Sequence, residues 1–122
     1  MQFRSKIFRV ALLASGLIAC DSMELTIAVK QVNQDWLEVV NSNDRVLKDV
    51  RLVIEAFESE GATTPCGEES LPRWEPGAVI RVPACAEKVR LTLFTGGETA
   101  RFSYSDGQLY RRLGRKEVPI RQ

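Results

Sequence analysis

The sequence predicts an all-β domain, built as a small antiparallel sandwich or barrel. Three observations support this fold class: apolar and polar residues alternate in several short runs, turn-forming residues separate those runs, and no ten-residue stretch beyond residue 20 has a helical apolar stripe. The composition is that of an ordinary globular protein, with 44% hydrophobic and 27% charged residues. A chain of 122 residues is long enough for one domain.

The first half of the domain contains three predicted strands. Residues 25–29 and 36–40 alternate as half-buried strands do, and the polar run 41–44 that follows is a dense turn signal. Residues 50–56 form the clearest predicted strand. Its apolar residues share one face and its charged residues the other, which places these four side chains in the core: Val50, Leu52, Ile54 and Ala56.

A long loop is predicted between this strand and the next one. Residues 58–73 are polar and contain two glycines and two prolines, which is typical of a loop. The loop is expected to end in a turn at residues 74–77, where Pro76 sets its own φ and Gly77 tolerates a positive φ. Residues 78–82 then alternate as a strand that stops at Pro83.

The last forty residues predict hairpins. Residues 89–94 and 100–104 flank Gly96-Gly97, and Asp106-Gly107 is a second hairpin signal before residues 108–113. Gly114 predicts a further turn, after which residues 118–120 form a short edge strand. The total is about seven short strands.

The first nineteen residues have the features of a targeting segment. Three basic residues (Arg4, Lys6 and Arg9) precede ten apolar or small residues, 10–19, which are too few to cross a membrane. The segment ends in Leu17-Ile18-Ala19-Cys20, which resembles the lipobox of bacterial lipoprotein precursors. An ordinary secretory signal is the alternative.

The lipobox resemblance implies cleavage between Ala19 and Cys20, with Leu17 and Ala19 recognised by the signal peptidase. It also implies a diacylglycerol and an N-acyl chain on Cys20, and several acyl chains anchor a protein stably. Asp21 resembles the signal that retains enteric lipoproteins in the inner membrane. The expected organisation is a signal peptide at 1–19, a lipidated tether at 20–24, and a domain at 25–122 that faces the periplasm.

Lipidation of Cys20 would leave two cysteines, Cys66 and Cys85. In the oxidising periplasm these are expected to form a structural disulfide. A redox pair is disfavoured because Cys-x-x-Cys is absent, and a zinc site is disfavoured because the chain has no histidine.

The domain also resembles small immunoglobulin-like domains of bacterial envelope proteins. The resemblance covers about half of the domain and rests on Leu37-Glu-Val-Val-Asn-Ser, on Leu47-Lys-Asp-Val-Arg-Leu, and on Trp74-Glu-Pro-Gly before the strand at 78–82. It implies an immunoglobulin-like β-sandwich and a binding or scaffolding role.

Composition argues against several function classes. The absence of histidine excludes Ser–His and Cys–His nucleophile systems, and no catalytic residue, metal site or cofactor beyond the lipid is predicted. Without the first nineteen residues the chain has fourteen basic and sixteen acidic residues, a net charge of −2 that disfavours a nucleic-acid binder.

The predicted function is therefore non-enzymatic protein binding or scaffolding by a membrane-anchored lipoprotein, through the segment 58–73 and the basic C-terminal strand. The candidate contacts with a protein partner or with lipid phosphates are Trp74, Arg111, Arg112, Arg115 and Lys116. Simple exposure on a hairpin edge is the alternative for the basic residues. A place in the core or at its edge is the alternative for Trp74, and the same place is expected for Trp36. A periplasmic module for a small ligand or ion is the alternative function.

Overall fold

The computed structural model describes residues 24–59 and 62–122, and within these residues it contains nine β-strands and no helix. The strands are β1 Ile27–Gln31, β2 Trp36–Asn41, β3 Leu47–Ser59, β4 Ala62–Trp74, β5 Val79–Pro83, β6 Lys88–Thr95, β7 Glu98–Ser105, β8 Gln108–Leu113 and β9 Lys116–Ile120. The predicted all-β class is confirmed, and β4 is the strand that lies outside the predicted ones.

The strands form two antiparallel sheets. The small sheet has the order β1-β2-β5, and the large sheet has the order β4-β3-β6-β7-β8-β9. An immunoglobulin-type sandwich divides its strands in the same way, with β1, β2 and β5 in one sheet and β3, β6 and β7 in the other. The large sheet extends beyond this arrangement, by β4 at one edge and by β8 and β9 at the other.

The core lies between the inner faces of the two sheets. Residues on alternating positions of β1, β2, β3, β5, β6 and β7 fill it, and the side chains of residues 50, 52, 54 and 56 are all buried, as the sequence predicts. The largest fully buried side chains are Trp74, Phe102, Leu25, Ile27, Leu37, Leu47, Leu52, Ile54, Leu91, Leu93, Leu109 and Val39. Each large apolar side chain contributes about 1.5–3 kcal/mol by leaving water.

Two of the predicted turns have the expected backbone. Gly77 has a φ of 81°, and the amide of Ala78 donates to the carbonyl oxygen of Glu75, which closes a turn across Pro76-Gly77. Gly96 and Gly97 both have positive φ between the paired residues Thr95 and Glu98, as a two-residue hairpin turn requires.

The predicted loop at residues 58–73 is wrong. Most of this segment is β4, thirteen residues long and paired with β3 along nearly its whole length. β4 is an edge strand whose residues are mostly exposed. Prolines and polar side chains are compatible with an edge strand, since one side of it has no ladder to complete and no core to fill.

The predicted disulfide between Cys66 and Cys85 is confirmed, with 6.3 Å between the two Cα atoms. Cys66 is the extra residue of a β-bulge, because Ile54 pairs with Gly67 whereas Glu55 pairs with Pro65. Cys85 lies just beyond the end of β5. The bond therefore joins the edge strand of the large sheet to the edge of the small one.

Hydrogen bonds close the opposite long side of the sandwich. The Arg111 guanidinium on β8 donates to the carbonyl oxygen of Leu25 over 2.6 Å, and the side-chain oxygen of Gln122 accepts from the backbone amide of Val29 on β1. The outer edge of β1 is thus joined to the last strands of the large sheet without a covalent bond.

Candidate functional site

The residues predicted for cleavage, lipidation and sorting are Leu17, Ala19, Cys20 and Asp21. They lie outside the described residues. The lipid anchor and the inner-membrane assignment remain predictions. Within the described part of the chain, no helix is long and apolar enough to cross a membrane.

Trp74 is not a contact residue, which corrects the prediction. Only 1% of it is exposed, because it ends β4 and packs in the core beneath the turn at Pro76-Gly77. Its indole N–H donates to the carbonyl oxygen of Ala78 over 3.0 Å. The amide group of Asn41 in turn donates to the backbone oxygen of Trp74.

The basic residues of the C-terminal hairpin do not form one patch, contrary to the prediction. Arg111 and Arg112 are neighbours on a strand and lie on opposite faces of the large sheet. Arg111 packs over the Phe102 ring on the inner face, and burial lowers the pKa of its guanidinium. Arg112 lies on the outer face, while Arg115 and Lys116 are exposed at the turn between β8 and β9.

An exposed apolar surface lies on the outer face of the small sheet. We call it the Trp36 face, and it consists of Ala28, Lys30, Trp36, Glu38, Val40, Val79, Arg81 and Pro83. Trp36 is 41% exposed and Val79 is 54% exposed. The apolar residues form cross-strand rows, in which Trp36 opposes Pro83 and Val40 lies between Ala28 and Val79. The expectation that Trp36 lies in the core or at its edge is therefore wrong.

Charged residues divide the apolar rows of the Trp36 face. Lys30, Glu38 and Arg81 lie opposite one another on the three strands, and the Arg81 guanidinium lies 3.5 Å from the Glu38 carboxylate. Beside this row, toward β1, lies a shallow depression of about 330 Å³ that Gln122 borders. An apolar surface with a polar border and a shallow pocket is typical of protein-binding sites.

A second feature lies on the outer face of the large sheet, around the Phe57 ring. Three cationic groups lie over this ring: the Lys88 ammonium is 4.8 Å from its centroid, and the Arg90 and Arg112 guanidinium groups are 4.9 and 5.2 Å from it. Three separate strands, β3, β6 and β8, supply these residues. We call Phe57 and these three cations, together with Ser103 and Glu117, the Phe57 cluster.

Glu117 on β9 is the acceptor of the Phe57 cluster. Its carboxylate accepts hydrogen bonds from Lys88 at 3.1 Å, from Arg112 at 2.6 Å, and from the buried Ser103 hydroxyl at 2.8 Å. Burial raises the pKa of Glu117, but the Ser103 and Lys88 hydrogen bonds and the charges of Lys88 and Arg112 outweigh it. The net result is a pKa below the ordinary value.

Glu117→Gln is expected to lower the free energy of unfolding by about 1–2 kcal/mol at pH 7, because charged hydrogen bonds become neutral ones. Since the folded-state pKa is lowered, the contribution of Glu117 is complete above the ordinary pKa of 4.5 and disappears as the pH falls through the folded-state value. Urea unfolding between pH 7 and pH 3 measures both effects.

Glu75→Gln is the matched control for Glu117→Gln. Glu75 pairs with Arg73 across 3.0 Å, but more than half of each side chain is exposed, so this pair is expected to contribute little. Equal losses for the two variants at pH 7, or a Glu117→Gln loss that persists at pH 3, would contradict the role of Glu117.

Comparison of the chain with protein-family models, with curated proteins and with solved structures finds no match. The functional argument therefore rests on the geometry of the described residues.

The two predicted functions, protein binding and the binding of a small ligand or ion, require different surface features. Among residues 24–59 and 62–122, no group of three or more His, Cys, Asp or Glu residues is arranged to hold a metal ion. A depression of about 500 Å³ beside Cys85 is open to solvent and mostly polar, and it is lined by Gln31, Gln34, Ala84, Cys85, Ala86, Glu87 and Asp106. The Trp36 face is the surface with the features of a binding site for a protein.

Proposed function

We propose that this protein is a lipid-anchored lipoprotein of the bacterial cell envelope whose β-sandwich binds another envelope protein through the Trp36 face. The observation that supports the binding role is the pair of apolar rows, Trp36 with Pro83 and Val40 with Val79, on either side of the charged row on the outer face of the small sheet. Tryptophan is enriched among the residues that dominate binding energy at protein interfaces.

The position of the proposed anchor is compatible with this use of the Trp36 face. Six residues lie between Cys20 and Ile27, the first residue of β1, and the seven steps from one Cα atom to the other span at most about 25 Å when extended. The lipid would therefore hold the end of the sandwich where β1 begins close to the bilayer. Trp36 follows the turn at the far end of β1, about 15 Å farther along the strand direction.

This orientation has a consequence for the kind of partner. The Trp36 end of the sandwich would point away from the bilayer, and the Trp36 face would stand roughly upright, with the row of Val40 and Val79 nearer the bilayer than the row of Trp36 and Pro83. A periplasmic domain of a membrane protein, or a soluble periplasmic protein, would reach this face without entering the lipid. We propose a partner of that kind, with an apolar contact surface.

The test uses the precursor expressed in a bacterial host, with a photo-crosslinking amino acid at Val79. The same amino acid at Glu68, an exposed residue on the edge strand β4, is the matched control. A discrete crosslinked product, identified by mass spectrometry, is expected from position 79 and not from position 68. Trp36→Ser is expected to reduce this product at least tenfold, because it removes the largest apolar contact of the face.

The same cells test the anchor separately. The wild-type protein is expected in the membrane fraction with a mass that lacks residues 1–19 and includes the acyl chains, and Cys20→Ser is expected to abolish both. A mature protein without acyl mass would overturn the lipoprotein assignment and leave the binding face untouched. Crosslinking that is equal at the two positions, or that Trp36→Ser does not change, would overturn the binding face alone.

A further inference from the structure

The Phe57 cluster has a surplus of positive charge. Lys88, Arg90 and Arg112 oppose one carboxylate, that of Glu117, which leaves a formal charge of +2. The two charged residues that flank the cluster on the same face, Glu55 and Arg101, are of opposite sign and do not change this balance.

Arg90 is the cation that the cluster leaves uncompensated. Glu117 bonds to Lys88 and Arg112, whereas no ion pair joins Arg90 to a carboxylate in the described part of the chain. Glu55 is the cross-strand neighbour of Arg90, but its carboxylate accepts from the Thr63 hydroxyl over 3.1 Å. The Arg90 guanidinium is thus stacked on the Phe57 ring without a carboxylate partner in the described part of the chain.

The Nε–H group of Arg90 supplies a second, independent observation. Its nitrogen is buried and, among residues 24–59 and 62–122, it is the one buried side-chain nitrogen or oxygen without a hydrogen-bond partner. Buried polar groups in folded proteins are nearly always satisfied, so this donor needs an explanation, and a bound ion is one that also accounts for the surplus charge. The unpaired donor and the surplus charge belong to the same side chain.

We propose that the Phe57 cluster is a binding site for a phosphate group, with Arg90 as its principal ligand. A phosphate or phosphomonoester has a charge of about −1.5 to −2 at neutral pH, which matches the surplus of the cluster, whereas a carboxylate supplies half of it. Guanidinium and ammonium groups are the side chains that bind phosphate in proteins. Stacking on Phe57 holds the three cations in place before the ligand arrives, which lowers the entropy cost of binding.

The test is a titration of the full-length, ¹⁵N-labelled protein in a non-ionic detergent, followed by NMR of the arginine Nε–H groups. Sodium phosphate is the first probe, and sodium chloride at equal ionic strength is its control. The Arg90 resonance is expected to move saturably with phosphate and not with chloride. Arg90→Gln is expected to weaken the phosphate affinity at least tenfold, as measured on neighbouring backbone amides.

Arg51→Gln is the matched control variant. Arg51 also lies on the outer face of the large sheet and stacks on a phenyl ring, that of Phe94 at 5.1 Å, but it is paired with Glu68 at 2.7 Å. This variant is expected to leave the phosphate affinity unchanged. Arg90→Lys keeps the charge without the Nε–H group and is expected to weaken binding severalfold, so the proposal stays testable if Arg90→Gln folds poorly.

A second probe identifies the source of the phosphate. Short-chain phosphatidic acid, added to the detergent-solubilised protein, presents a phosphomonoester as a lipid headgroup. A response to inorganic phosphate supports a soluble phosphate or phosphate ester as the ligand, and a response to the lipid alone supports a headgroup. No saturable response to either probe, or an equal loss of affinity in Arg51→Gln and Arg90→Gln, would overturn the site. The result does not depend on the Trp36 face.

Discussion

Trp74→Ala is expected to lower the free energy of unfolding by about 3–5 kcal/mol, whereas Trp36→Ala lowers it by about 1 kcal/mol or less. Trp74 is a fully buried core side chain, so its removal leaves a cavity that the two sheets cannot fill. Trp36 lies on an outer face, where 41% of it is already in water. Urea unfolding followed by far-UV circular dichroism measures both variants.

Trp74→Phe separates the packing of Trp74 from its hydrogen bond. Phenylalanine keeps most of the buried area but loses the N–H group that donates to Ala78, so a loss of about 1–2 kcal/mol is expected. The two tryptophans are therefore expected to have opposite roles: substitution of one impairs folding and substitution of the other impairs partner binding. A Trp36→Ala variant less stable than Trp74→Ala would contradict the assignment of both residues.

Removal of the disulfide is expected to lower the free energy of unfolding by about 3 kcal/mol. The double variant Cys66→Ala, Cys85→Ala releases a loop closed across 19 residues, and the unfolded chain gains the entropy of that loop. Urea unfolding of the wild-type protein and of the double variant gives the difference.

A reductant provides the control for the double variant. Added to the wild-type protein, it is expected to cause the same loss of stability, and added to the double variant it is expected to cause none. A double variant as stable as the oxidised wild-type protein would show that the non-covalent contacts between β4 and β5, rather than the bond, hold the two sheet edges together.

Strand periodicity was the reliable part of the sequence. The alternation in residues 50–56 predicted both the strand and its buried face, because a period of two leaves one face for the core. Turn chemistry was equally informative, since Gly96-Gly97 and Asp106-Gly107 adopt the positive φ values that few other residues tolerate. The pairing of Cys66 with Cys85 followed from the cysteine count and the expected compartment.

The edge strand β4 was missed because most of it extends past the core, so its residues are mostly exposed and show no alternation. Its thirteen residues are held by pairing with β3, and pairing between distant segments leaves no local pattern. The separation of Arg111 from Arg112 was predictable in principle, since consecutive strand residues point to opposite faces. The roles of Trp36 and Trp74 were not, because each tryptophan lies at a strand end where the alternation is weakest.

The Phe57 cluster illustrates what a sequence read strand by strand does not reveal. Alternation places Lys88 and Arg90 together on one face of β6, and this much was predictable. Their approach to Phe57 and Arg112 depends on the register of β3 against β6 and of β7 against β8. Register between distant strands is a property of the assembled sheet.

The two long sides of the sandwich are closed by bonds of different strength. On one side the Cys66–Cys85 bond does not break with thermal motion, while on the other the contacts of Leu25 with Arg111 and of Val29 with Gln122 are hydrogen bonds. We therefore expect the two sheets to separate first on the β1 side, while the disulfide keeps β4 and β5 together. If Cys20 is lipidated, tension between the membrane and a bound partner acts on this same side, which hydrogen bonds close and no disulfide does.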